Sequence, residues 1–158
     1  MTNIERPDYQ DPSGRPEGFR VRRARLGDAV GARRLGASVW ELPPGEAAYP
    51  YHYHLAEEEL IVVLEGRPSL RTPDGWRELE QGEVVSFPVG EEGGHQLANR
   101  TDALVRFLSI STSGVPEICV YPDSGKIGAY GRTDEELREL HRRSDAVDYW
   151  EGERPPER

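Results

Sequence analysis

The sequence predicts an all-β domain of short antiparallel strands, arranged as a sandwich or a barrel. The chain has 158 residues, of which 17 are glycine, 13 are proline and only 35% are hydrophobic. Short apolar runs separated by turn residues are typical of these folds. Long stretches with the periodicity of an amphipathic helix are largely missing. A chain of this length can bury one core without disulfides or a structural metal.

The β-prone runs begin at Phe19 and follow one another closely, with Gly, Pro, Asp and Asn between them. In chain order they are FRVRRAR, GASVWEL, YPYHYH, ELIVVLEG, PSLRT, WREL, EVVSF, HQLAN, ALVRFLSIS and EICVY. Roughly ten strands in about a hundred residues favour the antiparallel sandwich and barrel classes over other folds.

Two connections carry local signals. In RTPDGWR, Pro73 presets one turn dihedral and Gly75 can adopt a positive φ, which predicts a hairpin. In TDEELRELHRR, Thr133 and Glu136 have the spacing of a capping box and arginines close the segment. This second pattern predicts one short helix after the β domain.

The charge of the chain limits its partners. A formal net charge of −9 argues against a general nucleic-acid binder, which needs a basic surface, so we expect no nucleic-acid partner. The exception is the stretch over residues 20–34, which could serve an anionic ligand or partner. A solvated edge strand, whose charges discourage pairing with other chains, is the preferred interpretation. Its arginines are Arg20, Arg22, Arg23, Arg25, Arg33 and Arg34.

Cysteine usage and the N-terminus indicate a compartment. Cys119 is the only cysteine, so no disulfide within the chain is possible and a reducing compartment is expected. Its apolar surroundings favour a buried, inert thiol over a reactive one. The N-terminus lacks an apolar signal core and no run approaches membrane-spanning length, which predicts a cytoplasmic protein without a membrane partner.

The candidate chemistry begins in YHYHLAEEEL, residues 51–60. Side chains alternate along an extended segment, so His52 and His54 are expected on one face and Tyr49 on the other. Two neutral imidazoles on one strand make half of a site for Zn, Fe, Mn, Ni or Cu. His95 follows a later strand and a glycine-rich loop. Since three of the four histidines fall beside strands in this way, we interpret them as metal ligands rather than as core residues.

One carboxylate is expected to complete this ligand set. Glu59 begins the apolar strand EELIVVLEG, and a bound divalent cation would offset the cost of its burial. Glu57 and Glu58 are expected in a solvated loop, with Glu58 as the reserve ligand. His141 lies among arginines and is expected at the surface. The predicted cofactor is a divalent metal ion, either Fe, Mn, Zn or Ni.

The pattern of these residues resembles the cupin superfamily of small double-stranded β-helix barrels. The first motif of that family, a glycine, a spacer, His-x-His, Glu and a final glycine, is matched by Gly45, His52, His54, Glu59 and Gly66. The second motif is matched by Gly82, Pro88, Gly90, His95 and Asn99. The spacer after Gly45 is one residue longer than usual, and the gap from Gly90 to His95 is four residues rather than two. The match spans about residues 36–111, and the wider pattern looks like a bacterial group of single-domain cupins.

The resemblance implies an antiparallel double-stranded β-helix barrel with a short C-terminal helix. We expect a flexible N-terminal arm over residues 1–18, the barrel over residues 19–122, and a loop, helix and tail over residues 123–158. The first motif also supplies Glu59 as a ligand. Small cupins often dimerise, so a homodimer is expected.

Three histidines and one glutamate leave positions open on a metal that prefers five or six ligands. Cupins include dioxygenases, decarboxylases, isomerases and epimerases, as well as sugar-binding and regulatory domains. We therefore expect a metal-dependent oxygenase, isomerase or lyase acting on a small oxygen-rich or aromatic molecule. The alternative is a non-catalytic small-molecule or sugar-binding sensor, and a structural barrel is a weaker one. The catalytic residues stay unknown: Tyr49, Glu58, Glu91 and Glu92 reach the site only if their loops fold inward.

Overall fold

The computed structural model describes residues 2–10, 13–131 and 136–156. Within these ranges it contains twelve strands and very little helix. The strands are β1 (Arg22–Arg25), β2 (Leu35–Leu42), β3 (Tyr53–His54), β4 (Glu59–Glu65), β5 (Ser69–Thr72), β6 (Gly75–Glu78), β7 (Val84–Phe87), β8 (Gln96–Ala98), β9 (Val105–Thr112), β10 (Glu117–Tyr121), β11 (Lys126–Tyr130) and β12 (Arg138–Arg142). The helical segments are α1 (Leu26–Ala29) and the 3-10 turns Glu91–Gly93, Pro122–Ser124 and Arg143–Asp145.

The strands form three antiparallel sheets. The largest has the order β1-β2-β9-β4-β7, the second β12-β11-β10-β3 and the third β6-β5-β8. Neighbours in the largest sheet come from distant parts of the chain, because β9 lies between β2 and β4. The sheet therefore brings residues of five separate sequence segments onto one surface.

The face of β9 that lies towards the interior changes character along the strand. Phe107, Ser109 and Ser111 share this face because side chains alternate. The register places Trp40 beside Phe107 and Ser38 beside Ser109. The corresponding residues on β4 are Val63, Ile61 and Glu59. One end of the interior is therefore apolar, whereas the other end is polar.

The apolar end belongs to the main core. Phe107, Leu42 and Leu97 are fully buried in it, and Trp40 stacks on Phe107 with ring centroids 6.0 Å apart. Burial of each large apolar side chain contributes roughly 1.5–3 kcal/mol. The apolar residues of this core extend well beyond the candidate metal ligands, of which His95 packs against the core residue Phe87.

The predicted C-terminal helix is wrong. Residues 138–142 form β12, which pairs with β11 from Lys126↔Arg142 to Tyr130↔Arg138. Thr133 lies outside the described residues, and Glu136 precedes the strand without entering a helix. Unpaired backbone groups on the edge of β11 accept this segment as a strand, and the ladder outweighs a weak local helix preference. Because β11 and β12 follow residue 122, the second sheet continues past the expected end of the barrel, and the predicted domain division stays a prediction.

Other local predictions are confirmed. The hairpin forms between β5 and β6, with Thr72 paired to Gly75, whose φ is +112°. The arginine-bearing β1 lies at the edge of the largest sheet. His141 is on the exposed β12. Among the described residues, no helix has the length and apolar character needed to cross a lipid bilayer.

Candidate metal centre

Separate strands bring His52, His54, Glu59 and His95 together. His54 ends the short strand β3, and His52 pairs with His95 through a backbone bridge. In that bridge the His95 amide donates to the His52 carbonyl at 2.9 Å. Glu59 opens β4 opposite Ser111 of β9. The pairing of distant segments therefore fixes the backbone under each side chain.

The donor atoms of these four residues face one another. The Nε2 atoms of His52 and His54 are 3.1 Å apart, and Glu59 Oε2 lies 3.4 Å from His54 Nε2. His52, His54 and Glu59 offer ligand atoms that all lie within 4.8 Å of one another. His95 joins them through its Nε2, 3.0 Å from the same Glu59 oxygen. The residues predicted from sequence thus converge on one point.

The other ring nitrogens fix the tautomers. His52 Nδ1 lies 2.9 Å from the carbonyl oxygen of Pro50, and His95 Nδ1 lies 2.9 Å from that of Gly93. A carbonyl oxygen can only accept, so each Nδ1 carries the proton and donates it. Each Nε2 is then left with a free lone pair directed at the common point.

The Nδ1 atom of His54 has a carboxylate partner. It lies 3.2 Å from Glu117 Oε1 and 3.3 Å from the thiol of Cys119. Glu117 is buried and also accepts the backbone N–H groups of Leu55 and Ala56, each at 3.2 Å. A carboxylate that holds the far nitrogen of a histidine is the usual support of a metal-binding imidazole. Glu117 therefore orients His54.

Sequence reasoning did not identify Glu117 or its place beside His54. The only available signal was an acid inside the apolar run EICVY, where alternation puts Glu117 and Cys119 on one face. The pairing of β10 with β3, which sets Cys119 opposite His54, is a tertiary feature. Cys119 is buried, as predicted, although it touches the site.

Burial and mutual charge set the pKa values in this cluster. Burial, followed by the neighbouring His95 and His54, lowers the pKa of His52 to about 3. Burial also opposes the charge on His54, but hydrogen bonds to Cys119, Glu117 and Glu59 outweigh it and raise its pKa. Burial raises the pKa of Glu59, yet the close contacts of its carboxylate with the rings of His54 and His95 more than reverse this and lower it. The cluster thus combines one neutral imidazole with a carboxylate that stays ionised.

The donor set fits a divalent metal ion. The ring of His95 is fully buried, and its Nε2 has no hydrogen-bond partner among the described residues despite the nearby Glu59 oxygen. A buried polar atom without a partner is unfavourable unless another group satisfies it. Imidazole nitrogens with one carboxylate are a common ligand set for Zn, Mn, Fe and Ni. A cation at the common point would satisfy His95 and separate the facing lone pairs.

Ring packing and motif glycines hold the ligands in place. Phe87 stacks on His95 with centroids 3.9 Å apart, and Tyr49 meets His95 edge-on at 5.4 Å. The backbone N–H of Gly90 donates to the carbonyl of His54 at 2.7 Å. Gly66 has a φ of +78°, and a Cβ there would lie 2.6 Å from the carbonyl oxygen of Leu104. A larger residue at position 66 would therefore displace the end of β4.

The acids near His54 differ from expectation. Glu57 is partly buried and lines the site cavity, although the sequence suggested a solvated position. Burial raises its pKa to about 7. Glu58, the reserve ligand, is exposed and lies outside this cavity, as do the loop acids Glu91 and Glu92. Tyr49 was expected on the far face, but it contacts His52 at 4.9 Å because the chain before β3 is not a regular strand.

Three of the candidate ligands, His52, His54 and Glu59, line a cavity of about 400 Å³. Its wall combines serines of β2 and β9 with Tyr49 and with the pair Tyr121 and Tyr130, whose hydroxyls are 2.8 Å apart. Arg23 of β1 and Trp40 line the same space. A volume of this size holds a small molecule, and the many hydroxyls favour one rich in oxygen.

Comparison with known proteins gives the family. A cupin domain model matches residues 38–111, which contain both motifs. A cupin sugar phosphate isomerase from Silicibacter pomeroyi is 27% identical, with a TM-score of 0.79 over 92% of this chain and 94% of that one. Residues 38–111 therefore contain a cupin domain. The all-β cupin fold predicted from the sequence is thereby confirmed.

Two further cupin-fold structures are similar. A candidate sugar phosphate isomerase from Acidithiobacillus ferrooxidans is 25% identical, with a TM-score of 0.77 over 90% of this chain and 88% of that one. The polyketide cyclase RemF from Streptomyces resistomycificus is 26% identical, with a TM-score of 0.60 over 74% of this chain and 82% of that one. No curated protein matches the sequence. The two isomerase-like structures thus align over nearly the whole of this chain.

One residue of the second sequence motif, Asn99, has a structural role. Asn99 is buried, and its side-chain amide donates to the carbonyl groups of Leu42 and Ala103 at 2.9 and 2.7 Å. Its side-chain oxygen accepts the hydroxyl of Thr101 at 2.7 Å. These bonds tie the turn after β8 to the end of β2. Asn99 therefore holds the frame, whereas His95 of the same motif faces the candidate centre.

Proposed function

We propose that this cupin is a metal-dependent enzyme of isomerase type acting on a small oxygen-rich molecule. His52, His54, Glu59 and His95 hold a divalent ion, either Fe, Mn, Zn or Ni. The observation that carries the proposal is the arrangement of three imidazole Nε2 atoms and one carboxylate around a common point, with the far nitrogen of each ring already bonded. This arrangement suits metal coordination and leaves room for a ligand on the cavity side.

The reaction type is supported by similarity and by the cavity. The two structures that align over nearly the whole chain are a sugar phosphate isomerase and a candidate for one. The cavity wall offers hydroxyl groups from Ser38, Ser109 and Ser111, which can bond the hydroxyls of a sugar-like molecule. Oxygenase and lyase reactions lack such support from these two neighbours.

The residues around the candidate metal centre have different roles in the proposed reaction. A bound divalent ion supplies a Lewis acid that polarises a carbonyl or hydroxyl oxygen. Glu57 is the cavity acid placed to accept or return a proton on a neighbouring carbon, because its carboxylate is not held by a histidine. Tyr121 and Tyr130 offer hydroxyl groups to the substrate from the opposite sheet. Glu117 keeps His54 oriented.

The metal is tested on the protein purified without a histidine tag. Elemental analysis is expected to find about one transition metal ion per chain, and His52→Ala is expected to remove it. The matched control is His141→Ala, since this exposed histidine bonds only Glu139 at 3.0 Å among the described residues. Equal metal content in the wild type and the His52 variant would contradict the ligand assignment.

The reaction type is tested by solvent exchange. Small aldoses, ketoses and their phosphates are incubated with the metal-loaded protein in D₂O, and NMR is expected to show deuterium entering one substrate carbon. Glu57→Gln is expected to slow this exchange by about a hundredfold or more, within the range for loss of a general base. Binding without exchange or turnover would indicate the alternative, a non-catalytic sugar-binding or sensor cupin. Oxygen consumption would indicate an oxygenase.

The homodimer expected for small cupins is also part of the proposal. Leu35 and Val84 lie on strands of the largest sheet and are 57% and 59% exposed. Exposed apolar side chains on one sheet are compatible with contact between two copies. Light scattering coupled to size exclusion is expected to give twice the mass of one chain, 17.8 kDa.

A further inference from the structure

Arg23 is an unusual cation because it is inside the site cavity. It lies on the edge strand β1 opposite Trp40 of β2, and its side chain is directed to the cavity that holds Glu59. Its Nε donates to the hydroxyl of Ser38 at 2.9 Å, and its guanidinium carbon lies 4.7 Å from the Trp40 ring centroid. These contacts fix the stem and one edge of the group. The terminal N–H groups of the guanidinium therefore remain available to bind another partner.

The neighbouring arginines on the same strand already have acidic partners. Arg22 pairs with Glu41, and Arg25 lies 3.8 Å from Asp28. For Arg23, no carboxylate of the described chain lies within ion-pair distance. Burial and the nearby Arg25 lower the pKa of Arg23 to about 10, so the charge persists at neutral pH. A largely buried charge without a counterion is costly, and an anion entering the cavity would offset that cost.

We propose that Arg23 binds an anionic group, a carboxylate or a phosphate, of the molecule whose other end occupies the candidate metal centre. Arginine suits this role because its planar fork matches both groups in a bidentate manner. The inference rests on the proposed function for the position of the second end, and it adds the charge of the substrate. It also reverses the preferred interpretation of the arginine stretch for this one residue, while Arg22 and Arg25 remain exposed on the edge strand.

The positions of the two ends limit the ligand. Arg23 lies on β1 and Glu59 on β4, and the strands β2 and β9 lie between them. Three strand spacings correspond to about 14 Å along the sheet at the level of the backbone. Ser38 and Ser109 are paired across β2 and β9 on this path and offer hydroxyl groups to the middle of the ligand. The substrate class is therefore a polyhydroxy chain with an anion at one end and carbonyl or hydroxyl oxygens at the other.

The test compares three six-carbon probes on the metal-loaded, full-length protein by calorimetry. Sorbitol is neutral, gluconate carries a carboxylate and sorbitol 6-phosphate carries a phosphate. The wild type is expected to bind at least one of the two anions about tenfold or more tightly than sorbitol, as for a hydrogen bond to a charged group. Preference for gluconate alone identifies a carboxylate, preference for the phosphate alone identifies a phosphate, and preference for both supports a shared site. Equal dissociation constants for all three probes would overturn the proposal.

Substitutions test whether Arg23 causes the preference for anionic probes. Arg23→Met is expected to remove the difference between anionic and neutral probes, whereas Arg33→Met, an equal charge change at an exposed position of the same stretch, should keep it. If the methionine variant does not fold, Arg23→Gln keeps a polar group near Ser38 and should show the same loss. An unchanged anion preference in either folded variant would overturn the role of Arg23.

Metal content separates this inference from the proposed function. Arg23 is not among the candidate ligands, so its variants should retain the wild-type metal content. Wild type without bound metal would contradict the proposed function. The preference for anions over sorbitol should persist after chelation, because Arg23 remains in the cavity.

Discussion

The two ends of the interior use the same strands for different purposes. At one end of β9, Phe107 is fully buried and stacks on Trp40. Two and four residues further along the same face, Ser109 and Ser111 are only partly buried and line the cavity beside Glu59. Since alternation keeps all three on one face, the change from phenylalanine to serine marks where packing stops and the site begins.

This difference shows how the molecule tolerates an unfavourable cluster. Facing ring nitrogens, a buried carboxylate and an arginine without an ion-pair partner all reduce stability in the absence of a ligand. The apolar end compensates because its side chains are fully buried and need no ligand. Stability and function should therefore respond separately to changes at the two ends.

The largest expected effect on folding is at the apolar end. Phe107→Ala should lower the free energy of unfolding by about 3–5 kcal/mol, because it removes a fully buried ring and leaves a cavity. Denaturant unfolding measures this. Leu108→Ala, on the opposite and less buried face of β9, is the control and should cost less. Equal losses for the two variants would mean that the interior is not the main source of stability.

Metal removal should have the next largest effect. Chelation is expected to leave the sheets intact and to lower the free energy of unfolding by about 3 kcal/mol, the linkage value when the metal is at roughly a hundred times its dissociation constant. Circular dichroism during thermal unfolding checks this before and after re-addition of metal. Loss of the β-sheet spectrum on chelation would show instead that the fold depends on the ion.

Loss of the Glu117 carboxylate, which orients His54, should have a smaller effect than loss of the metal ion. Glu117→Gln is expected to weaken metal affinity by about 10- to 100-fold, because the amide cannot replace both the charge and all the acceptors of the carboxylate. Competition with a metal-binding dye measures the affinity. Glu139→Gln changes a similar acid beside a histidine on the exposed β12 and should leave affinity unchanged. If the Glu117→Gln variant binds the metal as tightly as the wild type, Glu117 does not orient His54.

The smallest effect on folding should come from the polar end. Ser109→Ala is expected to change the free energy of unfolding by less than about 0.5 kcal/mol, since the residue is partly exposed at the cavity wall. Affinity for an oxygen-rich ligand should fall a few-fold in the same variant. A stability loss as large as that of the Phe107 variant would erase the distinction between the two ends.

Much of the fold followed from local patterns, but some strands did not. The hairpin at Pro73 and Gly75 was predictable because its turn residues act locally. The strand β12 was not predictable, because its sequence favours a helix and only pairing with the free edge of β11 makes it extended. The position of Tyr49 failed for a related reason: regular alternation was assumed where the chain is irregular.

The candidate site divides in the same way. His52, His54, Glu59 and His95 could be proposed as ligands from the sequence because these four residues belong to two short motifs. Glu117 and Arg23 were not assigned to the site, because each reaches it from a strand that is distant in sequence. Glu117 is 63 positions from His54, its hydrogen-bond partner.

By itself, the sequence determined the all-β class, the cupin motifs and the set of candidate ligands, because these depend on alternation, turn chemistry and short spacings. Only the tertiary structure decided which nitrogen of each histidine is free, which acid supports His54 and which arginine enters the cavity. These features depend on strand pairing between distant segments, and the register of a pair is set by the packing of the whole sheet rather than by either strand alone.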